Sequence, residues 1–419
     1  MRIAPIDFVA SRPEITARPA TNRIYHEINV CRSPADFTRL HPAWDALVAS
    51  CSPCLDFTYC EVSAVGAFAR GETVSVALVY DGAALVALWP VMIAHRGACR
   101  VARALGCGND QEYGGPLVAD PADARLYAAA LDALRHVEAD VLEIWLVERD
   151  DPFAAALSGV PRSWVMGVIP ARWRGVDGYS IALSAFASYD AFLATRPESL
   201  RGHLRRHARR LADRGEVQYG WCQSAADARE VLTWLFANKR RWALARGFDT
   251  PFLMDDQVRD FFIDLAGRID LVATPLVTFV KVDGAPVAAS VNLVGPRSIE
   301  YFITTYDEAY AACSIGNLLV DYIVRWAYAS GRDFDFRPFF SVYKERWSNR
   351  RSRHESHFVM LTLRGRLAEM TIAAAQIRRV LRKLRALAAD RLPVLGATRQ
   401  TPGGTSRDGV SGGAAGRTR

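Results

Sequence analysis

No stretch of the 419 residues holds 18 consecutive apolar side chains, so the sequence offers no helix able to span a bilayer. The opening MRIAPIDFVASRPEITARPA also lacks the apolar centre of a secretory signal, because Asp7, Arg12 and Glu14 interrupt it. A cytoplasmic protein is expected, with the inner membrane face as a peripheral location. Cysteine is not framed as a disulfide set or a zinc site. Eight are scattered, and although Cys51 and Cys54 form CSPC with Cys60 nearby, no second Cys/His pair stands at zinc spacing. Buried reduced thiols are expected, with a metal or redox site as the alternative, and no metal is assigned. The main body lacks net charge as well. Residues 366–419 carry eleven Lys/Arg against three Asp/Glu, a balance of +8 in a chain whose formal charge is +7, which leaves −1 for the first 365 residues. A neutral body argues against a nucleic-acid partner.

What is present is a long, half-apolar chain, larger than one hydrophobic core usually supports, so about two domains are expected. Residues 34–49 and 56–70 read as amphipathic helices, the first with Phe37, Leu40, Trp44 and Leu47 at helical spacing. TVSVALVYDGAALVALWPVMI then places two β-rich runs around Asp81-Gly82, and LVTFVKVDGAPVAASVNLV repeats the plan around Asp283-Gly284, 202 residues later. Each hairpin precedes another β-type segment, a helix (about 123–137 and 315–330) and a short strand (VLEIWLV, DFDF). Two diverged copies of one mixed α/β unit fit this order better than one large sheet. The expected divisions are an N-terminal extension (1–25), a first unit (26–170), a second unit (171–365), a basic amphipathic helix (366–392) and a disordered tail (393–419).

The Pro/Gly/Trp-rich VPRSWVMGVIPARWRGVDG marks the junction. After it, SLRGHLRRHARRLADRG carries eight basic groups, seven of them between Arg201 and Arg210 along one helix. They form either a solvated face over Leu200, Leu204 and Leu211 or a groove for an anion. In the next helix Lys239, Arg241 and Trp242 are candidate substrate-binding groups, with packing of basic stems over apolar surface as the alternative. The segment SIEYFITTYDEAYAACSIGNLLVDYIVRWAYASGRDFDF runs from a strand through a loop into a helix opening at Ser314-Ile315-Gly316-Asn317. Such a start offers unpaired N–H groups and a positive dipole end, a seat for phosphate or oxyanion, although Ser and Gly also begin helices merely as caps.

The ordered set RGHLRRHARRLADRG, NKRRWALARG, YFITTYDEAYAACSIGNLL, SGRDFDF and YKERW resembles the second half of the CelD-type proteins, a GNAT-superfamily branch associated with cellulose and exopolysaccharide biosynthesis. The resemblance implies tandem GNAT-like units, the first degenerate, and acetyl-CoA or another acyl-CoA as co-substrate. It places Ser314, Ile315, Gly316 and Asn317 at the pyrophosphate, matches Tyr306 and Asp307 to the strand-end YD, and matches Tyr343, Lys344 and Trp347 to the YK..W motif, Trp347 counting among the substrate-binding groups. Where family members carry a Gly-containing turn such as RGDEP, this chain has RPFFS, which removes a carboxylate. The same tandem plan in FemAB peptidyltransferases, which use aminoacyl-tRNA, supplies a second enzymatic reading, and a non-catalytic scaffold of a polysaccharide-export system a third.

Within FDFRPFFSVYKERW, Pro338 ends a strand because it cannot donate to a ladder. Lys344, poorly solvated among aromatics, would then donate to a thioester oxygen as it becomes negative. Asp307 is the expected proton acceptor and Tyr343 the donor to the leaving thiolate, in direct attack by an amine or hydroxyl of a sugar-containing or lipid-linked acceptor. Asp307 as a turn cap and Tyr343 as a core ring are the alternatives. In the tail, Leu367, Met370, Ala374, Ile377, Leu381, Leu384 and Ala388 form a heptad seam among Arg378, Arg379, Arg382, Lys383 and Arg385. That seam suits packing on the domain, self-association or an anionic membrane surface.

Overall fold

The structure, a computed structural model, describes residues 24–45, 47, 53–108, 112–169, 174–247 and 251–391. Most of the N-terminal extension, Cys51 and the tail from 393 onward lie outside these residues. The first half runs β1 (Ile24–Cys31), α1 (Pro34–Thr38), α2 (His41–Asp45), α3 (Phe57–Ala69), β2 (Thr73–Asp81), β3 (Ala84–Arg96), β4 (Cys99–Ala104), β5 (Leu117–Val118), α4 (Ala124–Leu134) and β6 (Val141–Glu148). Helix α5 (Pro152–Ser158), strand β7 (Val176–Ile181), and helices α6 (Tyr189–Ala194) and α7 (Glu198–Ala212) lead onward. The second half repeats the plan with β8 (Val217–Trp221), α8 (Ala225–Ala245), α9 (Pro251–Met254), α10 (Gln257–Ala266), β9 (Val277–Val282), β10 (Ala285–Val294), β11 (Ser298–Tyr306), α11 (Ile315–Ala329) and β12 (Asp333–Asp335). Then come α12 (Val342–Trp347), β13 (Arg350–Met360) and α13 (Gly365–Arg391).

The sequence set two copies against one large sheet, and the fold contains both. The strands form one mixed sheet ordered β1-β2-β3-β4-β6-β13-β7-β12-β11-β10-β9-β8, with β5 beside β3. Read inward from either edge the two halves follow the same path, and they join by exchange. Strand β7 follows β6 in the chain but pairs with β12, whereas β13 follows β12 but pairs with β6. The two exchanged strands pair with each other at the centre. In each half one parallel pair, β4 with β6 and β11 with β12, breaks the antiparallel pattern.

Helices cover both faces of the second half. Leu200, Leu204 and Leu211 of α7 pack with Leu318, Leu319 and Ile323 of α11 on one face, while α8 and α10 bury Leu235, Phe236 and Phe262 on the other. The arginines of α7 therefore lie outward, as the amphipathic pattern requires. The described cysteines are buried thiols. No helix among the described residues is long and apolar enough to cross a membrane. Along α13, Leu367, Met370, Ile377 and Leu381 are exposed, and the side chains of Leu384 and Ala388 lie outside the described residues.

Candidate active site

Strands β11 and β12 bond only where Ser298–Glu300 faces Asp333–Asp335. Beyond that point Phe336 and Phe339 donate to the carbonyls of Tyr179 and Asp177 on β7, at 2.9 and 3.0 Å, so the chain stays with β7 and leaves β11. Arg337 (φ 65°) and Phe339 (φ 77°) make this turn on either side of Pro338 in the left-handed region, a conformation that costs about 1–3 kcal/mol per non-glycine residue and recurs at functional sites. On its other side β11 carries a bulge. Val291 faces Ile303 and Asn292 faces Tyr301, which leaves Phe302 without a partner on β10.

The free end of β11 leads into the helix start. Asp307 accepts the amide of Ala309 at 2.9 Å and caps a 3₁₀ turn over Glu308–Cys313. Ser314, at φ 49°, then reverses the chain into α11. Asn317 donates its amide back to the Ser314 carbonyl at 2.9 Å, while the amides of Ile315 and Gly316 have no backbone acceptor among the described residues. The Tyr306 ring lies over Gly316, where an added Cβ would touch it at 3.5 Å. Asn317 fixes the start from below, its Nδ2 donating to Ser314 Oγ and its Oδ1 accepting from Trp347 Nε1, both at 2.9 Å.

Cations gather at the same end. Lys344, half-buried on α12, donates Nζ to the carbonyls of Pro338 and Arg337 at 3.0 and 3.2 Å. Burial pulls its pKa down to about 8, Asp335 opposing and Arg337 and Lys239 reinforcing the shift. Lys239 on α8 is likewise lowered to about 8, by burial and then by Arg246, and rests over the Trp242 ring at 4.3 Å. Asn238 ties α8 to the site by donating to Thr305 Oγ1 (2.9 Å) and the Tyr306 carbonyl (2.8 Å), and Arg241 donates to Asn238 Oδ1. Beneath Lys344, Arg337 forms a buried ion pair with Glu300 at 2.5 Å. Burial disfavours that guanidinium charge, but Glu300, Cys54, Tyr113 and Asp335 together outweigh it and raise the pKa.

The helix start, Tyr306, Asp307, Lys239 and Lys344 thus sit around one end of β11. Trp347, expected among the substrate-binding groups, is fully buried and reaches the site through Asn317. Tyr343 packs edge-on against Phe336 at 5.8 Å, and burial raises its phenol pKa. Phe339 packs beside Trp145 and Phe358, leaving Phe340 exposed. Sequence reasoning missed Asn238, Glu300 and Arg337. The available signal was a charge inside each of two β-rich runs, SIEYF and DFDFR. A separate cavity of about 400 Å³, lined by Tyr113, Asp151, Ser298, Asp335 and His354 among others, opens toward the opposite end of β11, about 26 Å along the strand from Tyr306.

Residues 198–345 match the acetyltransferase (GNAT) domain family, so the second half carries a GNAT-superfamily acetyltransferase domain. No protein of curated function matches the sequence. Among solved structures the chain is similar to FemX at 12% identity, over 78% of this chain and 98% of FemX, with a TM-score of 0.55. It is also similar to a tandem GNAT protein from the clavulanic acid biosynthesis pathway (13% identity, 81% and 99% coverage, TM-score 0.43). A third similar structure is L-PGS from Bacillus licheniformis (15% identity, 70% and 86% coverage, TM-score 0.42). The likeness to FemX is one of fold, and the acetyltransferase (GNAT) match falls within the second half.

Proposed function

We propose that the chain is an acyl-CoA-dependent N- or O-acyltransferase whose reaction takes place at the free end of β11. The observation that carries this is the convergence of two helix-start amides without a backbone acceptor among the described residues, Ile315 and Gly316, with two desolvated lysines, Lys239 and Lys344, beside diverging strands. Amides at a helix start suit a pyrophosphate. Lys344 would donate to the thioester oxygen as the acceptor's amine or hydroxyl attacks the carbonyl carbon and the C–S bond breaks. Asp307 has Oδ1 committed to its cap, so Oδ2 is the atom that would take the acceptor's proton, and Tyr343 would return one to the thiolate. The acceptor is a sugar-containing or lipid-linked precursor of polysaccharide or cell envelope, an assignment resting on the resemblance to CelD-type proteins. Calorimetric titration with acetyl-CoA and coenzyme A is expected to give one site per chain, and no heat at millimolar ligand would sink the assignment.

One observation favours a second reading. Arg201, Arg205, Arg206 and Arg209 on α7 form no salt bridge with a described residue, and Arg210 donates to the Ala312 carbonyl just before the α11 start. An outward arginine face beside the site suits a polyanion such as aminoacyl-tRNA. A gel shift with charged tRNA, absent with acetyl-CoA as the only ligand bound, separates the two donors.

A further inference from the structure

At the outer edge of the sheet, away from the acyl site, β1 and α4 bring three side chains together. His26 pairs with Val79 of β2, and Val79 and Ile28 both belong to the core beneath α4, so His26 shares the face that α4 covers. Asp132 lies in the last turn of α4. His136 follows four residues later, its amide donating to the Ala133 carbonyl at 3.1 Å and continuing the turn, so both project from one side. The imidazoles of His26 and His136 stack with centroids 4.4 Å apart and planes 28° apart. One ligand atom from each of the three residues lies within 4.8 Å of the other two.

We propose that His26, Asp132 and His136 form a binding site for a divalent transition-metal ion, zinc in particular, that pins the edge strand β1 to α4. Two imidazole nitrogens and one carboxylate oxygen suit zinc and its neighbours in the first transition row, whereas magnesium and calcium select all-oxygen sets. Bonds of about 2.0–2.1 Å in a tetrahedral site need donors roughly 3.4 Å apart, so the donors draw in, the stacked imidazoles turn until their in-plane lone pairs meet at the ion, and water completes the shell. Asp132 and His136 are exposed, and little packing resists that closure. Arg135, 4.0 Å from Asp132, is a weak exposed competitor. The ion joins elements more than a hundred residues apart in sequence and exists only in the folded chain, so it adds to stability by mass action.

The test uses untagged full-length protein stripped with chelator, desalted and titrated with zinc against a chromophoric competitor. The expected result is one equivalent bound, a melting midpoint that rises with zinc, and no response to magnesium. His26→Ala, Asp132→Ala and His136→Ala should each weaken binding by at least about tenfold, with unchanged circular dichroism without metal. Failure to bind zinc at micromolar concentration would overturn the site. So would His136→Ala binding as tightly as the parent, or cobalt substitution giving a thiolate charge-transfer band, which would assign the metal to a cysteine.

Discussion

The two halves build the same strand differently. In the second, β11 runs beside β10 from Ile299 to Tyr306 with a single bulge, and the space between it and the continuation of β12 stays open. In the first, β4 pairs with β3 through Ala104, the chain leaves the sheet, and β5 resumes beside β3 only at Leu117–Val118. The returning segment lies between β4 and β6. Gly114 donates to the Trp145 carbonyl at 3.1 Å, and a Cβ there would meet Trp145 N at 3.2 Å and Ala104 Cβ at 3.6 Å. The first half fills with its own backbone the gap that the second keeps open. Its filling loop also braces the other half: Tyr113 donates to Asp335 Oδ2 at 2.7 Å, Asp335 Oδ1 accepts from Arg337 N at 2.6 Å, and the Arg337 carbonyl accepts from Lys344. The copy whose gap is filled is thus hydrogen-bonded, through Asp335 and Arg337, to the lysine of the other copy.

The sharpest way to break this contrast is at Arg337, the buried cation between the halves. Arg337→Ala leaves Glu300 buried without its counter-charge, a loss of about 3–5 kcal/mol in urea denaturation. Replacing both partners, as Arg337→Met with Glu300→Gln, should recover part of it. A loss below about 1 kcal/mol would mean that the pair contributes no more than an exposed one.

Next is Lys344→Ala, which should lower kcat/KM about a hundredfold, or about 3 kcal/mol, with the melting midpoint near that of the parent. An unchanged cellular phenotype in that variant, with the fold intact, would favour the scaffold reading. The lysine's pKa adds a pH test. It falls from 10.5 to about 8 on folding. Between about pH 8 and 10.5 the unfolded chain therefore holds protons that the folded chain has released, and stability rises across that window. Lys344→Met should remove part of the rise, Lys239, lowered to the same value, supplying the rest. Activity should move the opposite way, declining above about pH 8 as the donor loses its proton.

A pair of glycines compares the halves at smaller scale. A Cβ on Gly106 would lie 1.6 Å from the Glu112 carboxylate, which is buried and bonded to the Cys107 thiol at 2.6 Å and amide at 3.0 Å. Gly106→Ala must displace that group and should cost about 1–3 kcal/mol, leaving coenzyme A affinity unchanged. Gly316→Ala meets only the Tyr306 ring at ordinary contact distance, so stability should shift by less than about 1 kcal/mol while coenzyme A affinity falls. Equal effects of the two changes on affinity would erase the distinction between an open and a filled gap.

What the sequence disclosed was local. Asp283-Gly284 announced a hairpin because both residues take positive φ, 50° and 78°, which that dipeptide tolerates, and the Ser314 helix start was visible in four adjacent residues. What stayed hidden depends on register across the chain. Glu300 and Arg337 meet only because β11 and β12 pair at Glu300 and Asp335, and β13 returns to β6 over a separation that no local pattern encodes. Trp347 is placed among the substrate groups by the resemblance of YKERW to the YK..W motif. Its burial follows from the face of α12 that turns toward Asn317, which a six-residue helix cannot signal by periodicity.

The smallest effect belongs to the brace itself. Tyr113→Phe deletes the hydrogen bond to Asp335 but keeps the ring, and with it the stacking on His354 at 5.5 Å and the cation–π contact with Arg337 at 4.9 Å. Packing is therefore preserved, and the stability cost should stay near 1 kcal/mol, the net worth of one such bond. If the first half positions Lys344 through Asp335 and Arg337, kcat should fall severalfold while KM holds, because the lysine is displaced from the oxyanion and not from the bound ground state. A variant that loses the stability but retains kcat would show that the filled half supports the fold alone, and that Lys344 takes its position from β12 and α12.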